Sequence, residues 1–230
     1  MDKRAYKDSI YTSIAFVTKA FGHGNRLEIL DLLANGEKTV EQVAALTAIS
    51  VANASRHLQL LKQARLVKCR RAGHHLYYTL QGTRTFAAWQ ALRDLALDSE
   101  PALQLEMQRY RRTAGDPECL TLDQLPTLDR PYLVDVRPAD EFAAGSLPGA
   151  VSIPMEALRQ CLDSLPQDRT IVTYCRGIFC TFADEAVRLL RAHGYQAVRL
   201  TEGYPDHRLR TERTGGGAPF PSPGADIAVP

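Results

Sequence analysis

The chain predicts two domains, a mainly α domain followed by an α/β domain with a mainly parallel sheet. Three observations lead there. At 230 residues it is long for one compact unit. Apolar spacing is helical through most of the first hundred residues, then alternates between short β-like runs and helical ones. Charge divides the same way: residues 1–112 hold 17 Lys and Arg against 10 Asp and Glu, and residues 113–230 hold 11 against 16. A basic half beside an acidic half suggests that only the first meets a polyanion. The expected boundaries are 1–112 and 113–214, joined through "TAGDPECLT" around Gly115–Asp116–Pro117. The Gly/Pro-rich stretch 215–230 is expected to be a disordered tail.

In the first half, Leu27, Ile29, Leu30, Leu32 and Leu33 mark a helix that stops at Asn35–Gly36. "TVEQVAALTAI" gives a second helix, capped by Thr39, with Val40, Val43 and Ala44 inward. "SVANASRHLQLLKQARL" gives a third, capped by Ser50, with Ala54, His57 or Leu58, and Leu61 inward. The period then falls to two on either side of Ala72–Gly73, which predicts a β-hairpin. Residues 83–112 return to helix, interrupted near Pro101.

Two short helices, a tight turn and a basic hairpin outline a winged helix-turn-helix. In such a fold the second helix enters the DNA major groove. Its outward polar residues here are Asn53, Ser55, Arg56 and Gln59, behind the cap Ser50. Lys62, Lys68, Arg70, Arg71 and His74 are placed to touch phosphates, contacts that position without specifying. "GNRLEILDLL", "VEQVAALTAISVANASRHLQLLKQARLV" and "RRAGHHLYYTL" together resemble the ArsR/SmtB family of bacterial repressors. The resemblance implies a homodimer on a near-palindromic double-stranded operator, with the first helix and residues 83–112 at the dimer interface. Many members sense metals. One family site is a Cys-x-Cys pair before the recognition helix, where this chain has "KTVEQV"; another is an Asp/His set on the last helix, where "TFAAWQALRDLALDSE" has no histidine. No metal and no cofactor is expected. His74 and His75 are adjacent on a strand and point to opposite faces, and His23 and His57 are isolated in sequence.

The apolar runs fall short of the ~20 residues of a membrane span, and "MDKRAYKDSI" lacks the pattern of a signal peptide. No membrane partner and a cytoplasmic location are expected. Five cysteines without framework spacing are thiols in a reducing compartment. Cys69, Cys119 and Cys161 stand alone and read as ordinary thiols.

In the second half, "YLVDV", "AVSIP", "TIVTYC" and "QAVRL" read as strands, separated by the helical "ADEFAAG", "ALRQCLDSL" and "TFADEAVRLLRAHG". The stretch "TYCRGIFCTFADEAV" puts two cysteines at the mouth of a helix. There, free backbone N–H groups and the helix dipole favour thiolate over thiol. Arg176 adds positive charge, so Cys175 is expected to have a depressed pKa. Gly177 lets the loop adopt the dihedrals of an anion cradle.

"YLVDVRPADEFAAGSLPGAVSIP", "TIVTYCRGIFC", "ADEAVRLLRAHGY" and "VRLTEGYP" resemble the rhodanese family of sulfurtransferases. The resemblance implies that Cys175 takes sulfane sulfur from a small donor (thiosulfate, a persulfide or a polysulfide) and holds it as a persulfide. It makes Cys175, Arg176, Gly177, Ile178, Phe179 and Cys180 the active loop. Its six residues suit sulfur transfer better than the longer loop of related phosphatases. Asp135 and Arg137 fall in the family's D-x-R motif and read as structural, with Arg137 a partner for Glu141. Ser146 replaces a family histidine, and His207 stands near the place of an aromatic. Cys180, where many members lack a thiol, is placed to resolve a persulfide on Cys175. The combination implies a DNA-binding regulator that senses reactive sulfur. Two other readings stay open: an active sulfurtransferase that regulates its own operon, and an oxyanion (arsenate) reductase-like enzyme.

Overall fold

The computed structural model describes residues 2–113, 115 and 117–214. Asp116 of the linker and the expected tail at 215–230 lie outside the described residues. The chain forms two compact units, the first ending at Leu95 and the second beginning at Ala96.

The first unit opens with α1 (Lys3–Phe21) and α2 (Gly24–Ala34). A two-residue strand, β1 (Lys38–Thr39), leads into α3 (Val40–Leu46). Thr39 caps α3 through a capping box with Gln42, so a single turn both pairs with the sheet and starts the helix. Ser50 caps α4 (Val51–Gln63) by accepting the Asn53 N–H. The hairpin follows as β2 (Val67–Ala72) and β3 (His75–Leu80), paired antiparallel from Val67–Leu80 to Ala72–His75. β1 pairs with the other edge of β3. Ile29, Leu30, Leu33, Val43, Ala54, Leu58, Leu61 and Tyr78 make the core, which clamps α4 against α2, α3 and the hairpin. Their 3.6-residue spacing on α2 and α4 is what the sequence pattern shows; Leu27 and His57 lie half-buried at its margin. α5 (Thr83–Ser99) runs across the division between the units. It is tied back to α2 where the Trp89 indole N–H donates to Asp31 at 3.0 Å.

The second unit begins with the last turn of α5 and α6 (Pro101–Thr113). Five strands, β4 (Cys119–Leu120), β5 (Tyr132–Asp135), β6 (Val151–Ser152), β7 (Ile171–Tyr174) and β8 (Ala197–Leu200), form one sheet in the order β4-β8-β7-β5-β6. Every pairing in it is parallel. Cys119, read from sequence as part of a linker, is thus an edge-strand residue. Helices α7 (Ala139–Ala144), α8 (Leu158–Cys161), α9 (Phe182–Ala192) and α10 (Tyr204–Thr214) complete the unit. β7 is buried at all four positions, and β5 at three of its four, as central parallel strands covered on both faces must be. One apolar cluster, including Val134, Ile171, Ala186, Val187 and Leu190, fixes α9 on the sheet. The turn between β7 and α9 lies at the carboxyl end of the central strands, where open α/β sheets bind their ligands.

Candidate functional site

That turn holds Cys175, which follows β7 directly, and Cys180, which is separated from α9 by Thr181. Both are free thiols. Thr181, the cap residue of α9, makes no side-chain capping bond. The backbone N–H groups there favour negative charge on the sulfurs, that of Ala183 on Cys175 and those of Arg176 and Phe182 on Cys180. The two thiols lie close enough for each to shift the other's pKa.

The charge settles differently from the expectation. Cys175 is only 2% exposed. Burial pushes its thiol well above the ordinary value, and the neighbouring Cys180 adds to that. Cys180 is half-buried; the neighbouring Cys175 thiol, two backbone N–H groups and the Arg176 charge lower its pKa to about 7. The first proton the pair loses therefore leaves its charge on Cys180 rather than on Cys175. Helix-terminal N–H groups alone would depress the Cys175 pKa; the cost of burial outweighs them.

Arg176 does not reach into the loop. Its guanidinium forks onto Glu141 of α7, with contacts of 2.7–3.1 Å. Arg137 forks onto Asp135, down to 2.6 Å, and donates to the Gly145 carbonyl at 2.8 Å; the negative charge of Glu141 also favours its cationic form. Asp135 and Arg137 are completely buried, so this pair knits the end of β5 to α7.

A residue that the sequence argument passed over supports the loop. Arg199 of β8 is 1% exposed. It donates to the carbonyls of Gly177, Ile178 and Cys180 at 3.1–3.3 Å and pairs with Asp184 at 3.4 Å. Its field favours the anionic form of Cys175. The signal was a charged residue inside "AVRL", a strand buried at all four positions. Gly177 has φ 141°, a dihedral that suits glycine. A Cβ on Gly203 would stand 2.7 Å from the Cys175 and Arg176 backbone, so the loop rests directly on the "EGYP" turn. Ile178, Phe179, Cys180, Thr181 and Arg199 border a hollow of about 270 Å³, closed on its other side by Glu106, Met107, Tyr110 and Arg111 of α6. Cys175 does not line it.

In the first unit, Asn53 and Arg56 are exposed on α4, and Ser55 is half-buried. Asn53 and Arg56 border a hollow of about 280 Å³ with His23, Asn25, Arg26, His57 and Leu60. His23 and His57, isolated in sequence, stand with ring centroids 4.5 Å apart. Burial, then His23 and the nearby arginines, lowers the His57 pKa. Gln59 donates to the Tyr78 hydroxyl at 3.1 Å, and the Cys69 sulfur holds the Lys62 ammonium, raising its pKa. Arg70 is ion-paired with Glu37 and stacks over Tyr77 at 4.8 Å. Arg71 bonds the hairpin carbonyl of Gly73 at 3.3 Å, while Lys68 and His74 are exposed. Of the expected DNA contacts, Gln59 and Arg70 are thus engaged by side chains of neighbouring elements, Arg71 by its own hairpin turn, and Lys62 lies beside Cys69. Among the described residues, no three His, Cys, Asp or Glu side chains gather as a metal site, and no helix is long and apolar enough to cross a membrane.

These features define a winged helix-turn-helix joined to a rhodanese-like domain. The family model "Bacterial regulatory protein, arsR family" matches residues 23–68, and "Rhodanese-like domain" matches residues 121–206. The HTH-type transcriptional regulator Rv0324 of Mycobacterium tuberculosis is 39% identical over 220 residues, 93% of this chain and 95% of that one. A sulfurtransferase of Allochromatium vinosum is 32% identical over 88 residues, 38% of this chain and 79% of that one. The homodimeric winged helix-turn-helix DNA-binding domain of a possible ArsR-family regulator from Mycobacterium bovis, solved by NMR, is 35% identical. It covers 44% of this chain and 93% of that one, with a TM-score of 0.41. The chain belongs to the arsR family of DNA-binding transcriptional regulators, in a form that carries a C-terminal rhodanese-like domain.

Proposed function

We propose that the protein is a cytoplasmic, homodimeric repressor-type regulator that binds a double-stranded operator and senses sulfane sulfur. Its rhodanese-like domain takes sulfur from a small donor and holds it as a persulfide on Cys175. Loading changes the affinity for DNA. The observation that carries this reading is the placing of Cys175 and Cys180 together in the turn before α9, in a chain whose other half is a DNA reader. Cys175 is only 2% exposed, so a sulfur atom added to it displaces its neighbours in that turn. This gives the loaded and unloaded states different interactions, which any coupling between sites requires.

On the DNA side, Asn53, Ser55 and Arg56 face the major groove behind Ser50, and Lys62, Lys68, Arg71 and His74 lie toward the backbone. Dimerisation is supported by α1. Tyr6, Ile10, Ile14 and Val17 are exposed along one face of it. The similarity to a sulfurtransferase favours a second reading, in which catalysis is the output and DNA binding is autoregulatory. One paired experiment separates them. The operator complex is titrated with a persulfide donor while thiosulfate:cyanide turnover is measured on the same preparation. Operator affinity that changes with loading, at negligible turnover, is expected. Rapid turnover with unchanged DNA affinity selects the second reading.

A further inference from the structure

The hollow beside the loop exposes one thiol of the pair and not the other. Cys180 lines it together with Ile178 and Phe179. Met107 and Tyr110 of α6 face them from the opposite wall. Cys175 lies behind, in the apolar cluster that includes Ala183 and Val187. We infer that sulfur enters through Cys180, which takes it from a small organic persulfide lodged in this hollow and hands it to Cys175. This rests on the sulfur-sensing reading and deepens it: Cys180 becomes the receiving nucleophile and Cys175 the protected store.

The chemistry balances in two steps. In the first, the Cys180 thiolate attacks the outer sulfur of R–S–SH. A new S–S bond forms on Cys180, the donor's S–S bond breaks, and R–S⁻ leaves to take a proton from solvent. Cys180 is oxidised to the persulfide and the donor is reduced to its thiol. In the second, the Cys175 sulfur attacks the outer sulfur of Cys180–S–SH. The Cys180–sulfur bond breaks, and the Cys175 proton ends on the neighbouring Cys180. No further oxidant is needed. The lowered pKa of Cys180, about 7, puts a large thiolate fraction in the hollow at neutral pH, while burial keeps Cys175 protonated until the second step.

The walls name the donor class. Ile178, Phe179, Met107 and Tyr110 present apolar surface to whatever carries the sulfur, and about 270 Å³ has room for a small molecule. An organic persulfide brings an apolar body that these side chains cover, whereas thiosulfate, a compact dianion, meets Arg111 and Arg199 only beside the carboxylates of Glu106 and Asp184 and leaves the apolar wall unused.

The test uses the full-length protein, cysteine persulfide generated in situ, and time-resolved mass analysis of the peptide spanning 170–188. Wild type should gain one sulfur, ending on Cys175. Cys175→Ser should accumulate the sulfur on Cys180, which shows that the receiving step needs no second thiol. Cys180→Ser should load Cys175 at least about tenfold more slowly. Cys180→Ala repeats this measurement without a hydroxyl, and a wild-type urea-unfolding transition in both variants certifies the fold of the second unit. Thiosulfate at equal concentration should load wild type more slowly than the organic persulfide. A Cys180→Ser protein that loads Cys175 at the wild-type rate overturns the relay and leaves sulfur sensing intact. A wild-type protein that gains no sulfur on either cysteine overturns both.

Discussion

At the scale of single residues, the site depends on where one proton and one buried guanidinium sit. The Cys180 pKa of about 7 is a depressed value, so the thiolate dominates above that pH and is lost as pH falls through it. Alkylation of Cys180 by iodoacetamide should rise with pH, reach half its maximum near pH 7 and then level off. Cys175 should lag at every pH below 9. Half-maximal alkylation near the ordinary thiol value would show that the first charge does not settle on Cys180. Arg199 contributes to stability rather than to nucleophilic attack. Arg199→Met leaves the buried Asp184 and three loop carbonyls without their partner, a loss of about 3–5 kcal/mol. Urea unfolding of the variant measures it, and a loss below about 1 kcal/mol would show that solvent replaces the guanidinium freely. Cys175 and Cys180 were legible in sequence because the chemistry of a strand–helix turn is local. Which of the two takes the first charge was not, since it depends on burial by α9 and the sheet.

At the scale of elements, α4 and the wing show which parts of an interface a sequence pattern can reveal. Cap, periodicity and hairpin are local properties; Thr39, Ser50 and the hairpin read correctly, with the turn falling at Gly73–His74, one residue beyond Ala72–Gly73. The occupation of an outward side chain by a neighbouring element is not local. Gln59 and Arg70 share the polar face of their elements with Arg56 and Lys68, yet they bond Tyr78 and Glu37. His23 and His57 meet because α2 starts beside α4, a juxtaposition that no spacing of 34 positions encodes. The wing therefore yields a comparison. Arg56→Ala should weaken operator binding by about 1–3 kcal/mol if it reads a base edge. Lys68→Ala should weaken it uniformly across sequences and reduce its salt dependence by about one counterion. Arg70→Ala should do so less than Lys68→Ala, because its charge is already matched by Glu37. Mobility shifts at several salt concentrations check all three, and an Arg70 effect equal to that of Lys68 would mean that the Glu37 pair opens on DNA.

At the scale of the whole molecule, the chain's two-part organisation was visible in its change of period. The allegiance of α6 was not: its apolar Met107 and Tyr110 give no sign in sequence that they line the second unit's hollow. The same scale decides assembly. α1 carries buried side chains only at Ala20 and Phe21, its final turn. The preceding turns expose Tyr6, Ile10, Ile14 and Val17 at spacings of four, four and three, one continuous face of a helix. A face this apolar is costly in water; in the proposed dimer a second copy covers it with the identical stripe, the self-complementary arrangement of a two-fold axis. Ile14→Glu places a charge in the middle of that stripe, on a residue that contributes nothing to the core of its own unit. The variant should keep its helical content and thermal transition while sedimenting as a monomer at concentrations where wild type is dimeric. Its operator affinity should fall by at least about tenfold, since the two half-sites are no longer bound by linked readers. Persulfide loading of the Cys175–Cys180 loop should be unaffected, because that chemistry is complete within one chain. A variant that remains dimeric would move the interface off α1, and one that dissociates yet binds the operator as tightly as wild type would remove the dimer from the DNA-binding account.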